Sequence, residues 1–460
     1  MKHRGRHRRR RRTRALRATL AGTALALTAA ATLISTSQAA GGNNPGGLTR
    51  VTDAAETAKF RLHEELTDRG TLNTLTRKLG GTADVREVLA SVDRTMRGRS
   101  ACDTDETAAL PVKPTATRAY CWDRRDATST RWLPRSVTTS GDSDAYGHWG
   151  ADRVVLSGWT QYDPRSDTPA EDRGLARIAF IDANNPDSFA YRWALLVAPL
   201  DGGKDFAPVR SGVSGMVWYQ DKLFVTARDS LLVFDLHRIL RVDGDGAAVG
   251  RVKGGYSANG YRYVLPTVGS YRLSGGSCST DDDRAAPCFT SLSLDRTSTP
   301  DSLVASEWFA PGESGRTARV WRYAFSTAPG RGGLLATDAH GDAGATEAYR
   351  TEVSGVQGVL SHREFGAEKA DWYVDRTPVV GGRHGTLWRQ STSGAKATTC
   401  AVDETHACWG RHTASLSYWA ETDELWTLTE GAAGGDDEGG PAGARVLYAV
   451  PLRSVDDALD

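Results

Sequence analysis

Six cysteines, ten histidines and several closely spaced carboxylates are the residues in this 460-residue sequence with the clearest capacity for chemistry. Six cysteines admit 15 pairings. Three local pairs stand out: Cys102 with Cys121, Cys278 with Cys288, and Cys400 with Cys408. None has the C-x-x-C spacing that holds zinc. Each pair would close a short loop and contribute about 2–3 kcal/mol. That is scaffold chemistry rather than catalysis.

Glycoside cleavage needs an acid and a base or nucleophile about 5–10 Å apart. The carboxylates placed near predicted inner strands are Asp142, Asp144, Asp295 and Glu364. Asp295 stands where a turn should begin, which favours a turn role. Calcium is the one cofactor to test. Asp243 and Asp245, and Asp103, Asp105 and Glu106, have the close spacing of oxygen-ligand loops, but neither continues into an EF-hand. Solvated acidic turns are the simpler reading, as is an exposed loop tip for Asp281-Asp282-Asp283. His148, His362 and His412 fall in or near inner strands and could share a metal if they converged on an axis. No pattern of residues placed to orient these rings supports this, so no metal site is assigned. Trp149, Trp218, Trp409 and Trp419 are the better lead, because rings exposed at a rim stack on sugar faces. Their alternative is core packing. No G-x-S-x-G, G-x-G-x-x-G, Walker or H-E-x-x-H motif occurs. The reading leans away from an enzyme.

The elements that must position these residues are strands. Runs such as Val154–Trp159, Ala176–Ile181, Trp193–Ala198, Leu223–Ala227 and Leu231–Leu236 alternate with Gly, Asp, Ser and Pro clusters. They group in fours. Small-residue first strands open near Val213, Phe289, Val356 and Thr413, with a less clear group near Ser143. The last group lacks a fourth strand, and the strand-like stretch Arg118–Thr138 is expected to supply it and so close a ring. The fold expected is an all-β, five-bladed β-propeller over residues 99–460. Six or seven blades, or a β-sandwich, are the alternatives. Residues 48–98 read as a small helical appendage. One helix is expected near Asp53–Leu66. Val85, Val88, Leu89, Val92 and Met96 mark the apolar face of another.

Residues 1–18 carry ten Lys or Arg and no acid, so the net charge of +1 becomes −9 without them. A 17-residue uncharged run, Ala18–Ile34, and small residues around Ser37-Gln38-Ala39 follow. This is the pattern of a secretory signal peptide over 1–39, then a Gly/Asn-rich linker over 40–47. The short, weakly apolar run argues against a membrane anchor. The general and twin-arginine routes both remain open. Export makes disulfides the default, and the acidic remainder excludes a nucleic-acid footprint.

The stretch Tyr191–Leu236, with Gly260–Val268 and Leu416–Glu430, resembles actinobacterial (Streptomyces-like) secreted β-propeller-like proteins of unassigned function. The resemblance spans about Tyr191 to Leu452. It implies fold and export and supplies no activity. Where a His-Ala-Gly-Gly run is expected before Val217-Trp218-Tyr219, this chain has Gly212-Val213-Ser214-Gly215. The expected function is a secreted, non-catalytic propeller binding a glycan or cell-envelope polymer. A glycoside hydrolase or lyase with axial carboxylates, and a scaffold for another exported protein, are the alternatives.

Overall fold

Short runs of alternating apolar and polar residues become antiparallel strands from residue 118 to residue 451, as the β pattern predicts. The computed structural model describes residues 44–162, 174–280, 282, 284–310, 316–377, 383–400, 406–431 and 444–459. The chain divides into Met1–Ala40 and Gly41–Asp460. The expected signal peptide, the first part of the linker, Asp281 and Asp283 lie outside the described residues.

The strands fall into groups of four. The first holds Trp132–Thr139, Val154–Gln161, Ala176–Asp182 and Ala190–Leu200. The second holds Met216–Tyr219, Lys222–Ala227, Ser230–Asp235 and Tyr263–Leu273. The third holds Ser291–Asp295, Ser302–Ser306, Ala318–Ala324 and Glu347–Thr351. The fourth holds Val356–His362, Asp371–Arg376, Thr386–Ser391 and Gly394–Ala397. In the fifth, Thr413–Trp419, Glu424–Thr429 and Val446–Pro451 are completed by Arg118–Cys121. The early segment thus supplies the outer strand of the last group, as expected. Only its first part does so. Trp132–Thr139 is instead the first strand of the first group, and Ser140–Ser143, where that group was expected to open, is a helical turn. The outer strands of the first and second groups also pair in parallel, Ala194–Val197 with Tyr263–Pro266.

The first strands stand side by side in a closed cycle. Ser136 Oγ donates to the Val213 carbonyl, and the Trp218 amide donates to Thr138 Oγ1 at 3.0 Å. The Val137 amide donates to Ser415 Oγ at 3.3 Å, and Ser361 Oγ donates to Asp295 at 2.7 Å. At Gly215 a Cβ would lie 2.5 Å from the Leu292 amide nitrogen, and at Gly358 a Cβ would lie 2.9 Å from Leu416 Cγ. Small residues are therefore required where strands crowd around one axis. This is the arrangement of a β-propeller.

Tryptophans fill the spaces between groups. Trp122 packs edge-on to Trp159, at 4.8 Å between ring centroids. The Arg177 guanidinium lies 3.6 Å from the Trp193 ring centroid and 4.1 Å from that of Trp132. Arg177 also donates to buried Asp126 at 3.0 Å. The aromatic faces thus share the cost of burying that ion pair.

The N-terminal segment departs from the helical expectation. Ala54–Ala58, Arg69–Lys78 and Val85–Ala90 are helices, capped by the carboxylates of Asp53, Asp68 and Asp84. Between them lie short edge strands. Leu62–Leu66, expected to be helical, pairs with Gly269–Leu273. The helix at Val85 stops at Ala90, and Met96 is buried with its amide bonded to the Phe189 carbonyl. Sheet edges offer this backbone more hydrogen bonds than another helical turn would.

The segment forms a belt. Leu48 donates its amide to the Ser391 carbonyl of the fourth group. Thr49–Arg50 pairs with the third group and Leu62–Leu66 with the second. Arg94–Thr95 pairs with the first and Arg97–Gly98 with the fifth. The belt thus covers the outer edges in reverse order. All three expected disulfides are present, and Cys102–Cys121 fastens the chain just beyond the belt to the fifth group. Among the described residues, no helix is long and apolar enough to cross a membrane.

Candidate functional site

The ring has two unlike ends. At its lower face, where the first strands finish, the turn Ser140–Ser143 lies wholly buried against the first strands of the second and fifth groups. Its Asp142 carboxylate accepts from Thr138 Oγ1 at 2.6 Å and Ser417 Oγ at 2.7 Å, and Arg296 donates to the Asp142 carbonyl. Burial pushes the Asp142 carboxyl up to about 6 despite these donors. The turn plugs the axis, so Asp142 is structural.

The other expected catalytic carboxylates do not join it. Asp295 is buried and takes Arg322 at 2.9 Å, Ser361 at 2.7 Å and the amides of Thr297 and Ser298. It ties the third group to the fourth and opens the turn predicted for it. Asp144 is exposed and accepts from the Tyr146 amide, and Glu364 lies exposed in a loop. The histidines do not converge either. His362 ends a first strand and His148 follows one, whereas His412 precedes one. Glu106 takes Arg97 at 2.6 Å and the Asp103 amide in a helix capping box. Asp243 and Asp245 are exposed.

Three of the four expected ligand tryptophans are core. Trp218, Trp409 and Trp419 are at most 2% exposed, which leaves no face for a sugar. Trp149 is half-buried against Trp218, with centroids 5.2 Å apart.

The upper face, where the first strands begin, is open. A cavity of about 330 Å³ draws its walls from the first three groups and their connections. Leu133, Tyr162, Phe289 and Trp308 supply apolar surface, and Arg135, Thr160, Ser214, Thr226 and Thr290 supply polar groups. Trp308 and Tyr162 are half-buried, so each keeps ring surface toward solvent. Behind the wall, Arg135 holds Glu430 at 2.6 Å. Burial pushes Glu430 up to about 7, against the pull of Arg135. Asp375, wholly buried on the second strand of the fourth group, accepts from Thr413 Oγ1 at 2.8 Å. Burial, with Glu430 adding to it, pushes Asp375 up to about 7 as well. Asp375 Oδ2 and Glu430 Oε1 have no hydrogen-bond partner among the described residues. With Asp375 sealed and Glu430 tied to Arg135, the cavity offers stacking and hydrogen-bond donors rather than an acid–base pair facing a substrate.

Sequence reasoning missed Arg135, Tyr162, Trp308, Asp375 and Glu430. The available signal was Arg135, a charge inside an otherwise buried strand. It went unused because that strand was placed on the outside of the last group.

No family model matches the chain, and no curated protein matches it. Among solved structures it is similar to the PQQ-bound aldose sugar dehydrogenase of Streptomyces coelicolor. That chain is 13% identical, with 73% of this chain and 97% of that one covered at a TM-score of 0.28. It is also similar to the WD40 repeats of RRP9, 10% identical, with coverages of 71% and 99% and a TM-score of 0.26. At TM-scores this low, neither likeness bears on ligand or activity.

Proposed function

We propose that this protein is an exported five-bladed β-propeller, one blade per strand group, that binds the end of a glycan or cell-envelope polymer in its upper-face cavity without cleaving it. The observation that carries this reading is the cavity itself. It is walled by aromatic rings beside Arg, Thr and Ser side chains and lies within the size range of small-ligand pockets, ~300–1,000 Å³. The basic, apolar, small-residue leader and the three disulfides support export.

The test is co-sedimentation of the protein with insoluble polysaccharides and actinobacterial cell walls, with soluble sugar measured in parallel. Saturable binding, lost in Trp308→Ala and Arg135→Ala but kept in Trp149→Ala, is expected. Release of soluble sugar would overturn the non-catalytic reading. Absence of binding to every polymer would overturn the ligand class.

A further inference from the structure

A second and larger cavity, about 530 Å³, opens on the lower face between the third and fourth groups. One wall is the belt, through Leu48 and Arg50. The opposite wall is the loop between Val356–His362 and Asp371–Arg376, which brings Arg363, Glu368 and Lys369. Buried Arg322 lies at its base, paired with Asp295 and Glu347 at 2.9 Å each and seated over the Trp372 ring. Together these three groups carry a net charge of −1.

Arg50, Arg363 and Lys369 are exposed and have no ion-pair partner among the described residues. Glu368 is the single carboxylate of the cleft outside the Arg322 cluster. The lining as a whole carries four cations and three anions, a net +1 in a chain whose charge is −9 without its leader. The lining also carries hydroxyls: those of Thr297, Ser298 and Ser302 bond to Asp295 and to one another, while Thr299 and Thr392 are exposed. Phe365 stands fully exposed on the loop that carries Arg363 and Lys369. The Arg363 guanidinium also donates to the Thr297 carbonyl at 2.6 Å, which fixes one cation at the rim.

We infer that this lower-face cleft binds an anionic polyol chain. Its carboxylates or phosphates would meet Arg50, Arg363 and Lys369, its hydroxyls the Ser/Thr lining, and one apolar face the Phe365 ring. Cations arrayed in a cleft concentrate such a ligand, and the attraction weakens as salt rises. The site is separate from the upper cavity and does not depend on it.

The experiment is calorimetric titration of the full chain with polygalacturonate oligomers, poly(glycerol phosphate) and neutral dextran at two salt concentrations. Variants from the same preparation are titrated alongside. Binding of an anionic polymer, weakened by salt, is expected, with no heat from dextran. Polygalacturonate alone would assign a carboxylate ligand, poly(glycerol phosphate) alone a phosphate ligand, and both the shared anionic chemistry. The double variant Arg363→Ala/Lys369→Ala should lose at least about tenfold in affinity. Lys369→Ala, whose side chain makes no hydrogen bond among the described residues, should lose several-fold with unchanged thermal unfolding. Lys253→Ala, which removes an exposed cation that lines neither cavity, should bind as the wild type does. Equal binding of dextran, no binding of either polyanion, or full affinity in both lower-face variants would overturn the assignment.

Discussion

Replacing Asp375 by Asn should stabilise the protein at pH 8 and leave it almost unchanged near pH 4. Asp375 is wholly buried, and its carboxyl is pushed from 3.8 up to about 7. The folded state thus holds this proton more tightly than the unfolded chain does. Stability from this group is fully present below about pH 4 and is lost as pH rises toward 7. A gap of about three units, at ~1.36 kcal/mol each, makes the ionised carboxylate cost roughly 4 kcal/mol by pH 8. Asn has no proton to lose. It keeps the shape and the oxygen that accepts from Thr413 Oγ1. Its amide group would sit where Oδ2 has no partner, but a protonated acid carries an equally unpartnered O–H there. Near pH 4 the two side chains are therefore matched. Urea unfolding of both proteins at pH 4.5 and pH 8, with the denaturant slope checked for constancy, measures the difference. A gain of about 3–4 kcal/mol for the Asp375→Asn variant at pH 8 is an upper estimate, because hydration of the core would reduce it. An equal loss of stability at both pH values would show that Asp375 acts through packing rather than charge, and would refute the reasoning.

Three further outcomes follow from packing. Gly215→Ala should cost about 2–3 kcal/mol, since its Cβ would meet the backbone of Ser291 and Leu292, while Gly98→Ala, with open space around it, should be near neutral in thermal unfolding. Arg177→Gln should cost about 3–5 kcal/mol, because it removes a charge bonded to buried Asp126 and stacked on Trp193. Tryptophan emission should change with it, and an unchanged melting point would contradict the pairing. Removing the Cys102–Cys121 bridge with paired Ser substitutions should cost about 2–4 kcal/mol and speed proteolysis within residues 44–98 before the strand groups are cut.

The second and third strands of the later groups were legible because each is a short run rich in Val, Leu, Trp and Tyr. Val356 and Thr413 open their groups at the residues read from the sequence. The first group was not legible, because its inner strand carries Pro134 and Arg135 and is followed by a plug rather than a turn. The belt was misread because Leu62, buried, and Leu66, exposed, are four apart as on a helix, while backbone pairing to a distant edge decides their state. The site was the least legible part. Asp142 and Asp295 do lie at the ends of first strands, yet their roles are set by Ser417 and by Arg322 and Ser361, residues far away in the chain. The upper cavity draws on residues from Leu133 to Trp308 without any local motif. Its tryptophan differs from the core tryptophans only in how much of its ring stays uncovered.

The belt also orders events in time. Asn44 bonds the Ala395 carbonyl 351 residues ahead, Glu56 pairs with Arg350, and Leu62–Leu66 needs the edge at Gly269–Leu273. The start of the segment, which leaves the ribosome early, therefore has nothing to pair with until the third and fourth groups exist. Contacts of such long sequence separation form slowly. A chain whose earliest residues are seated last stays unlocked while the rest is being made. It acquires its final mechanical closure only when the whole polymer is in one compartment.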